Sequence, residues 1–226
     1  MFFFDSTIII LIPAVILTFY AQYRVKTTYS KYSKILAKNG LSGKETAGEL
    51  LLRNHLSNIK IEPIEGRLSD HYDPRQKKLA LSKEIYYGKS LAAQGIVAHE
   101  IGHALQDAKK YFPLSLRSNL VPVANIGSNM AIPLFLIGFI FSFPALMDIG
   151  VIAFSLAVLF QLVTLPVEFD ASKRAVNLLV GANIISDMEE TSSIKKVLNA
   201  AALTYVAATS VAVFQLLRLI LLRNRR

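Results

Sequence analysis

Three long runs with at most one charge each divide the chain. Ser6 to Tyr23 is 18 residues with no charged side chain, rich in Ile and Leu and broken only by Pro13. As a helix it would span about 27 Å at ~1.5 Å per residue, close to the hydrocarbon thickness of a bilayer. From Ser118 to Val167 the only charge in 50 residues is Asp148. That is too long for one span and suits two, with Pro144 and Asp148 marking the turn. We expect spans near Val121–Phe143 and Ile149–Leu165. Val197 to Leu217 gives 21 more uncharged residues, followed by Arg218, Arg223, Arg225 and Arg226. Four membrane helices are therefore predicted. Buried helices of a soluble protein are the alternative, and three blocks of this length argue against it.

The polar stretches pattern differently. Ser42-Gly43-Lys44-Glu45 reads as a helix start, continued by Ala47 to Leu56 with Leu50, Leu51 and Leu52 on one side. His55 falls within this Leu-rich segment and reads as structural. Ile59, Ile61 and Ile64 suggest a short strand, Arg67 to Tyr72 a second, and Leu79-Ala80-Leu81-Ser82 a third. Asp73-Pro74 is a turn signal. Ser90 to Lys109 reads as a long helix with Ala92, Ala93, Ile96, Val97, Ile101 and Leu105 apolar. The expected class is a mainly α integral membrane protein with about four transmembrane helices and a small α+β cytoplasmic domain. The expected layout is a membrane anchor over 1–23, a soluble domain over 24–120 and a transmembrane hairpin over 121–165. A helix and loop over 166–196 and a last membrane helix with basic tail over 197–226 complete it.

Charge adds orientation. A signal peptide would want a basic flank before the first run and a small-residue cleavage site after it. Met1–Asp5 holds no base, whereas Arg24, Lys26, Lys31, Lys34 and Lys38 follow the run, so we read an uncleaved anchor with its N-terminus outside. Of 25 Lys and Arg, 17 lie between Arg24 and Arg117 and four between Val167 and Lys196. The positive-inside rule assigns both segments to the cytoplasm. Strict counting of spans then puts the terminal arginines outside, against the rule; either the last helix lies in the interface or the tail tolerates translocation. The net charge of +9 is accounted for by topology and anionic lipid, which discounts a nucleic-acid partner. The absence of Cys excludes thiolate zinc sites and a cysteine nucleophile.

The long helix carries His99-Glu100-Ile101-Gly102-His103, an H-E-x-x-H pattern. Residues four apart share a helix face, so both imidazoles can reach one ion. Zinc accepts neutral imidazole nitrogens in tetrahedral sites. Glu100, about 100° around the helix from its neighbour, can take a proton from a water on that ion, whose pKa zinc lowers toward about 7. Two capped or solvated histidines are the bland alternative. A catalytic zinc needs a third protein ligand and an open position. Gln106 and Lys109 stand where a metzincin would have Gly and His. Asp107 shares the face but lies about 12 Å of helix from His99, so it reads as a surface or supporting residue. The third ligand must lie on the same side of the membrane. Asp148 is one span away and is excluded. Glu168 and Asp170 are two spans away, behind Pro166, which suits the start of a helix over Val167–Leu179. Glu168 is assigned as the ligand, with Asp170 the alternative; compensation of a helix dipole is the structural reading of Glu168. Asp187, Glu189 and Glu190 read as solvated.

With these residues in place, the chain resembles the integral-membrane gluzincins. His99–His103, a membrane hairpin and Glu168-Phe169-Asp170-Ala171 follow the order of the HtpX heat-shock protease and the CAAX prenyl proteases. In those families the Glu of an E-x-x-A-D motif is the third zinc ligand, which the resemblance carries to Glu168. Ser172 stands where the motif has its supporting Asp. The stretches Asp70–Pro74, Val97–Gln106, Leu165–Ala175 and Val197–Ala208 are similar to the YugP-like neutral zinc metallopeptidases. The resemblance implies a zincin-like soluble domain, a strand before the zinc helix that lines the cleft, and a role in oxyanion binding open to His71 or Tyr72. Arg174 can pair with a carboxylate or a lipid phosphate.

Together these point to a membrane-embedded zinc endopeptidase at the cytoplasmic face. Its ion is Zn²⁺, held by His99, His103 and Glu168, and Glu100 is the general base. Its substrates are expected to be proteins or peptides, membrane proteins above all. One rival is a membrane scaffold or adaptor with a structural zinc, which has no need of Glu100. Another is a metal transporter, which would place His and carboxylates inside the spans.

Overall fold

A computed structural model describes residues 6–225. The flank Met1–Asp5 and Arg226, both used above for topology, lie outside the described residues. The elements are α1 (Ile12–Tyr32, preceded by a short 3₁₀ stretch), α2 (Gly43–Arg53), β1 (Lys60–Ile64), β2 (His71–Asp73), β3 (Lys78–Ser82), α3 (Lys83–Tyr87), α4 (Leu91–Ala108), α5 (Phe112–Ile140), α6 (Pro144–Gly181) and α7 (Met188–Asn224). The chain is mainly α, with one small sheet. It divides into two units. One comprises Tyr23–Tyr111 and Val167–Ala202; the other takes the chain up to Gln22, Phe112–Pro166 and from Leu203 onward.

In the first unit, α2 starts with a reciprocal cap. The Ser42 hydroxyl accepts from the Glu45 N–H, and the Glu45 carboxylate accepts from the Ser42 N–H. The sheet has the order β1-β3-β2, with β1 parallel to β3 from Lys60↔Lys78 to Ile64↔Ser82 and β2 antiparallel to it at His71↔Ala80. Central β3 is buried from Leu79 to Ser82, which is why its apolar run does not alternate. Leu50, Leu79, Leu81, Ile85, Val97 and Ile101 form the core, joined by Ala175, Leu179, Ile185 and Ile194 from the later part of the chain.

Several expectations change here. The second strand is not Arg67–Tyr72 but His71–Asp73, because Gly66 and Leu68 take left-handed backbone (φ 98° and 54°) that no strand admits. His55 lies beyond the end of α2, exposed and at φ 58°, so it closes the helix rather than packing within it. Glu190 is buried, not solvated. Its carboxylate accepts from the Lys38 N–H at 2.8 Å, and Asp187 pairs with the Lys38 ammonium.

The second unit reverses the usual distribution. Large apolar side chains such as Ile16, Phe19, Ile126, Ile140, Ile152 and Leu162 face outward, while Ala14, Ala21, Ala124 and Ala131 are buried. Small residues inside and bulky apolar ones outside suit lipid rather than water. Four helices are long and apolar enough to cross a membrane: Ser6–Tyr32, Phe112–Ile140, Pro144–Gly181 and Met188–Asn224. Arg223 forks onto Asp148 at 2.7 and 3.1 Å, and Arg218 donates to the Thr7 hydroxyl. The basic end of α7 therefore sits beside the start of the first helix and the turn into α6.

Pro166 does not begin a helix. It lies inside α6, which runs unbroken from Pro144 to Gly181. A proline removes one helix hydrogen bond and crowds the preceding turn, at about 3 kcal/mol. Beyond it, Val167, Ala171, Ala175 and Leu179 repeat every four residues and are all buried, and that stripe carries the helix through.

Candidate metal centre

Helix α4 is started by the Ser90 hydroxyl, which accepts from the Ala93 N–H. Its register sets His99 and His103 one turn apart, with their rings edge to face and their centroids 4.8 Å apart. Glu168 comes from α6, in the same unit. Its Oε2 lies 3.2 Å from His99 Nε2 and 3.6 Å from His103 Nε2. One ligand atom from each residue falls within 4.8 Å of the others. Ligands at ~2.0–2.1 Å from a tetrahedral zinc stand about 3.3 Å from one another. The two carboxylate–imidazole separations match that spacing, and two imidazoles with a buried carboxylate are the donor set that zinc takes.

What allows the approach is Gly102. A Cβ there would stand 2.7 Å from the Ala171 carbonyl oxygen and 3.2 Å from Ala171 Cα. Glycine lets α4 lie directly on the backbone of α6, between the two histidines on one side and Glu168 on the other.

Glu100 is oriented by the sheet. Its Oε2 accepts from the main-chain N–H of Tyr72 at 3.0 Å, on edge strand β2. Burial raises its carboxyl above the usual range, against the opposing pull of His103 and His99. The side chains of the two candidates for oxyanion binding have other partners. The Tyr72 hydroxyl donates to Asp107 at 2.8 Å, and burial with that carboxylate drives its pKa upward. His71 is exposed, with Nδ1 against the Ser69 carbonyl. Asp107 also receives Lys77 at 2.6 Å and stands apart from the three metal-type ligands. Asp170 is likewise outside that group: it is bonded to Gln106 and Arg174. Arg174 thus pairs with a carboxylate, over the Tyr111 ring.

Two further residues support the histidines: Gln106, to which the pattern assigns no role, and Ser172, which stands where the motif has its Asp. Gln106, fully buried, holds His103 Nδ1 with its Oε1 at 3.0 Å and donates through Nε2 to the Val167 carbonyl and to Asp170. Its only sequence signal was its place four residues after Gly102 and seven after His99. Ser172 Oγ lies 3.3 Å from His99 Nδ1, so the residue replacing the motif's Asp still meets the first histidine.

Comparison with known proteins covers nearly the whole chain. The family described as "Putative neutral zinc metallopeptidase" matches residues 7–224. The chain is 46% identical over 215 residues to "Putative membrane protease YugP" of Bacillus subtilis (strain 168), covering 95% of each chain. No solved structure matches.

Proposed function

The chain belongs to the family described as "Putative neutral zinc metallopeptidase", and we propose that it is a membrane-embedded zinc endopeptidase working near the cytoplasmic face. The observation that carries the proposal is the His99–His103–Glu168 cluster with a carboxylate beside it that is not one of the three. A purely structural zinc would use a closed set of four ligands and has no task for Glu100.

His99, His103 and Glu168 would hold the ion and leave one position open. Zinc, when bound there, supplies a Lewis acid that polarises a carbonyl and makes water nucleophilic near neutral pH. Glu100 takes the proton from the attacking water and delivers it to the leaving amine. The Tyr72 N–H fixes Oε2 of Glu100, which leaves Oε1 for that proton. A carboxyl raised by burial is a better base near neutrality than an ordinary one.

Substrate and side follow from position in the chain. Glu168 directly follows Val167, the end of a run that has been uncharged since Asp148. The segments that bear the cluster hold 17 and four of the 25 basic residues, which supports a cytoplasmic site. Loops of membrane proteins are the peptides such a site would meet.

The test uses the full chain in detergent with a casein substrate. Glu100→Gln should keep stoichiometric zinc and lose cleavage by at least ~100-fold. Equal cleavage by both proteins refutes the proposal.

A further inference from the structure

The two histidines are supported in chemically different ways. The partner of His99 Nδ1 is a hydroxyl, which can donate or accept. The partner of His103 Nδ1 has no such freedom. Gln106 faces two acceptors at one end of its amide, the Val167 carbonyl at 2.8 Å and the Asp170 carboxylate at 2.9 Å. Only the amide NH₂ can serve both. Its other end, 3.0 Å from His103 Nδ1, is therefore the carbonyl oxygen, which carries no proton. Gln106 is fully buried, so water does not compete for these bonds.

We infer that Gln106 is a positioning residue that fixes His103 as the Nδ1–H tautomer and so aims the Nε2 lone pair at the metal site. The inference rests on the metallopeptidase proposal for its consequence, but not for its geometry. The chain of dependence runs back through α6: Arg174 holds Asp170, Asp170 and Val167 hold the amide, and the amide holds the ring. Since Val167 and Asp170 flank Glu168, the same side chain that sets the second ligand's proton also sets the stretch that carries the third. Assembly of the site is in this sense cooperative between α4 and α6. Outer partners of ligating histidines commonly change metal affinity by about 10–100-fold.

The experiment compares wild type, Gln106→Met and Gln106→Glu as full chains in detergent. In the metal-free proteins, ¹⁵N NMR of the imidazoles at alkaline pH reads the tautomer directly. Binding of Zn²⁺ alone is then measured by chelator competition. We expect His103 to be Nδ1–H in wild type and to lose that preference in Gln106→Met, with zinc bound about 10–100-fold more weakly. Gln106→Glu still offers His103 an acceptor, so it should keep the Nδ1–H tautomer; but it turns an acceptor oxygen on the Val167 carbonyl and the Asp170 carboxylate, so zinc affinity should still fall. Nε2–H in wild type, or unchanged zinc affinity in Gln106→Met, overturns the inference. So does the same His103 tautomer mixture in the Met and Glu variants, which would reduce Gln106 to a tie between helices. If the wild type binds no zinc, the metallopeptidase proposal falls, and the His103 tautomer alone decides this one.

Discussion

Adding one methyl group at Gly102 should weaken zinc binding more than it weakens the fold. The new Cβ would stand 2.7 Å from the Ala171 oxygen and 3.2 Å from Ala171 Cα. Both are backbone atoms, so no rotamer relieves the clash. Ordinary contact begins near ~3.5 Å, so α4 and α6 must part by roughly 0.5–0.8 Å at this point. In the metal-free protein that separation is partly offset by the gain of about 1 kcal/mol in helix propensity from Gly to Ala. Zinc does not tolerate it, because ligand distances must hold within ~0.2 Å. Binding then has to draw the helices back together against an overpacking cost of about 1–3 kcal/mol. That corresponds to roughly 5–150-fold weaker zinc binding. Chelator competition on the purified chain, with thermal unfolding of the metal-free form, measures both halves. Gly48→Ala is the control: Gly48 lies exposed in α2 with open space around it, so the change should stabilise by about 0.5–1 kcal/mol and leave zinc untouched. If Gly102→Ala binds zinc like wild type while the metal-free form melts no lower, the methyl is accommodated without moving Glu168, and the reasoning fails.

Tyr72→Phe should cost about 0.5–1.5 kcal/mol of stability through the lost bond to Asp107, with cleavage little changed. A drop of ~100-fold in kcat would instead return the hydroxyl to the oxyanion. Burial raises the Asp70 carboxyl above its ordinary value despite its bonds from Ser82. A raised acid binds its proton more tightly when folded, so the contribution of Asp70 to stability declines as pH climbs from the ordinary carboxylate value through the raised one. Denaturant titrations should therefore find Asp70→Asn at least as stable as wild type at pH 7, its advantage vanishing in acid; a deficit at neutral pH contradicts this. The chain has no Cys, so single introduced cysteines report topology cleanly. In intact cells an impermeant thiol reagent should label Asn224→Cys and spare Arg75→Cys; the reverse pattern inverts the proposed orientation.

How much of this could be read from the residues depended on the range of the interaction. His99 and His103 were legible because one helix turn relates them, and so was the start of α4 at Ser90. The apolar blocks were legible as four long helices because length and lack of charge are local properties. Pro166 misled because the local rule is sound but incomplete: the buried stripe from Val167 to Leu179 that overrides it depends on partners from the other end of the unit. Glu190 misled for the same reason. Its acceptor role toward the Lys38 N–H joins residues 152 apart, and nothing in a polar stretch announces it. Gln106 carries no charge and titrates nowhere near neutrality, so no rule of residue chemistry singles it out. Only its burial against Val167 and Asp170 gives it a task.

The metal-binding pattern and the packing pattern are the same pattern. Positions 99, 102, 103 and 106 are spaced i, i+3, i+4 and i+7, the stripe by which a helix packs on a neighbour. On α6, positions 168, 171, 172 and 175 repeat the same spacing. Each stripe alternates chemistry with close contact: His99 meets Ser172 and Glu168, Gly102 meets Ala171, His103 meets Glu168, and Gln106 meets Val167 and Asp170. A third ligand 65 positions beyond His103 in the chain is thus held without a disulfide, by one helix crossing whose contact residues are also the ligands and their partners. It follows that substitutions in these two stripes cannot be sorted into those that affect the fold and those that affect the metal. Any change that alters the distance between α4 and α6 alters the separation of Nε2 from Oε2, and any ion that fixes that separation must in turn stabilise the crossing. Zinc should then raise the unfolding temperature of this unit, by about 2.7 kcal/mol of stability when present at 100 times its dissociation constant. That gain should shrink together with affinity in the Gly102 and Gln106 variants.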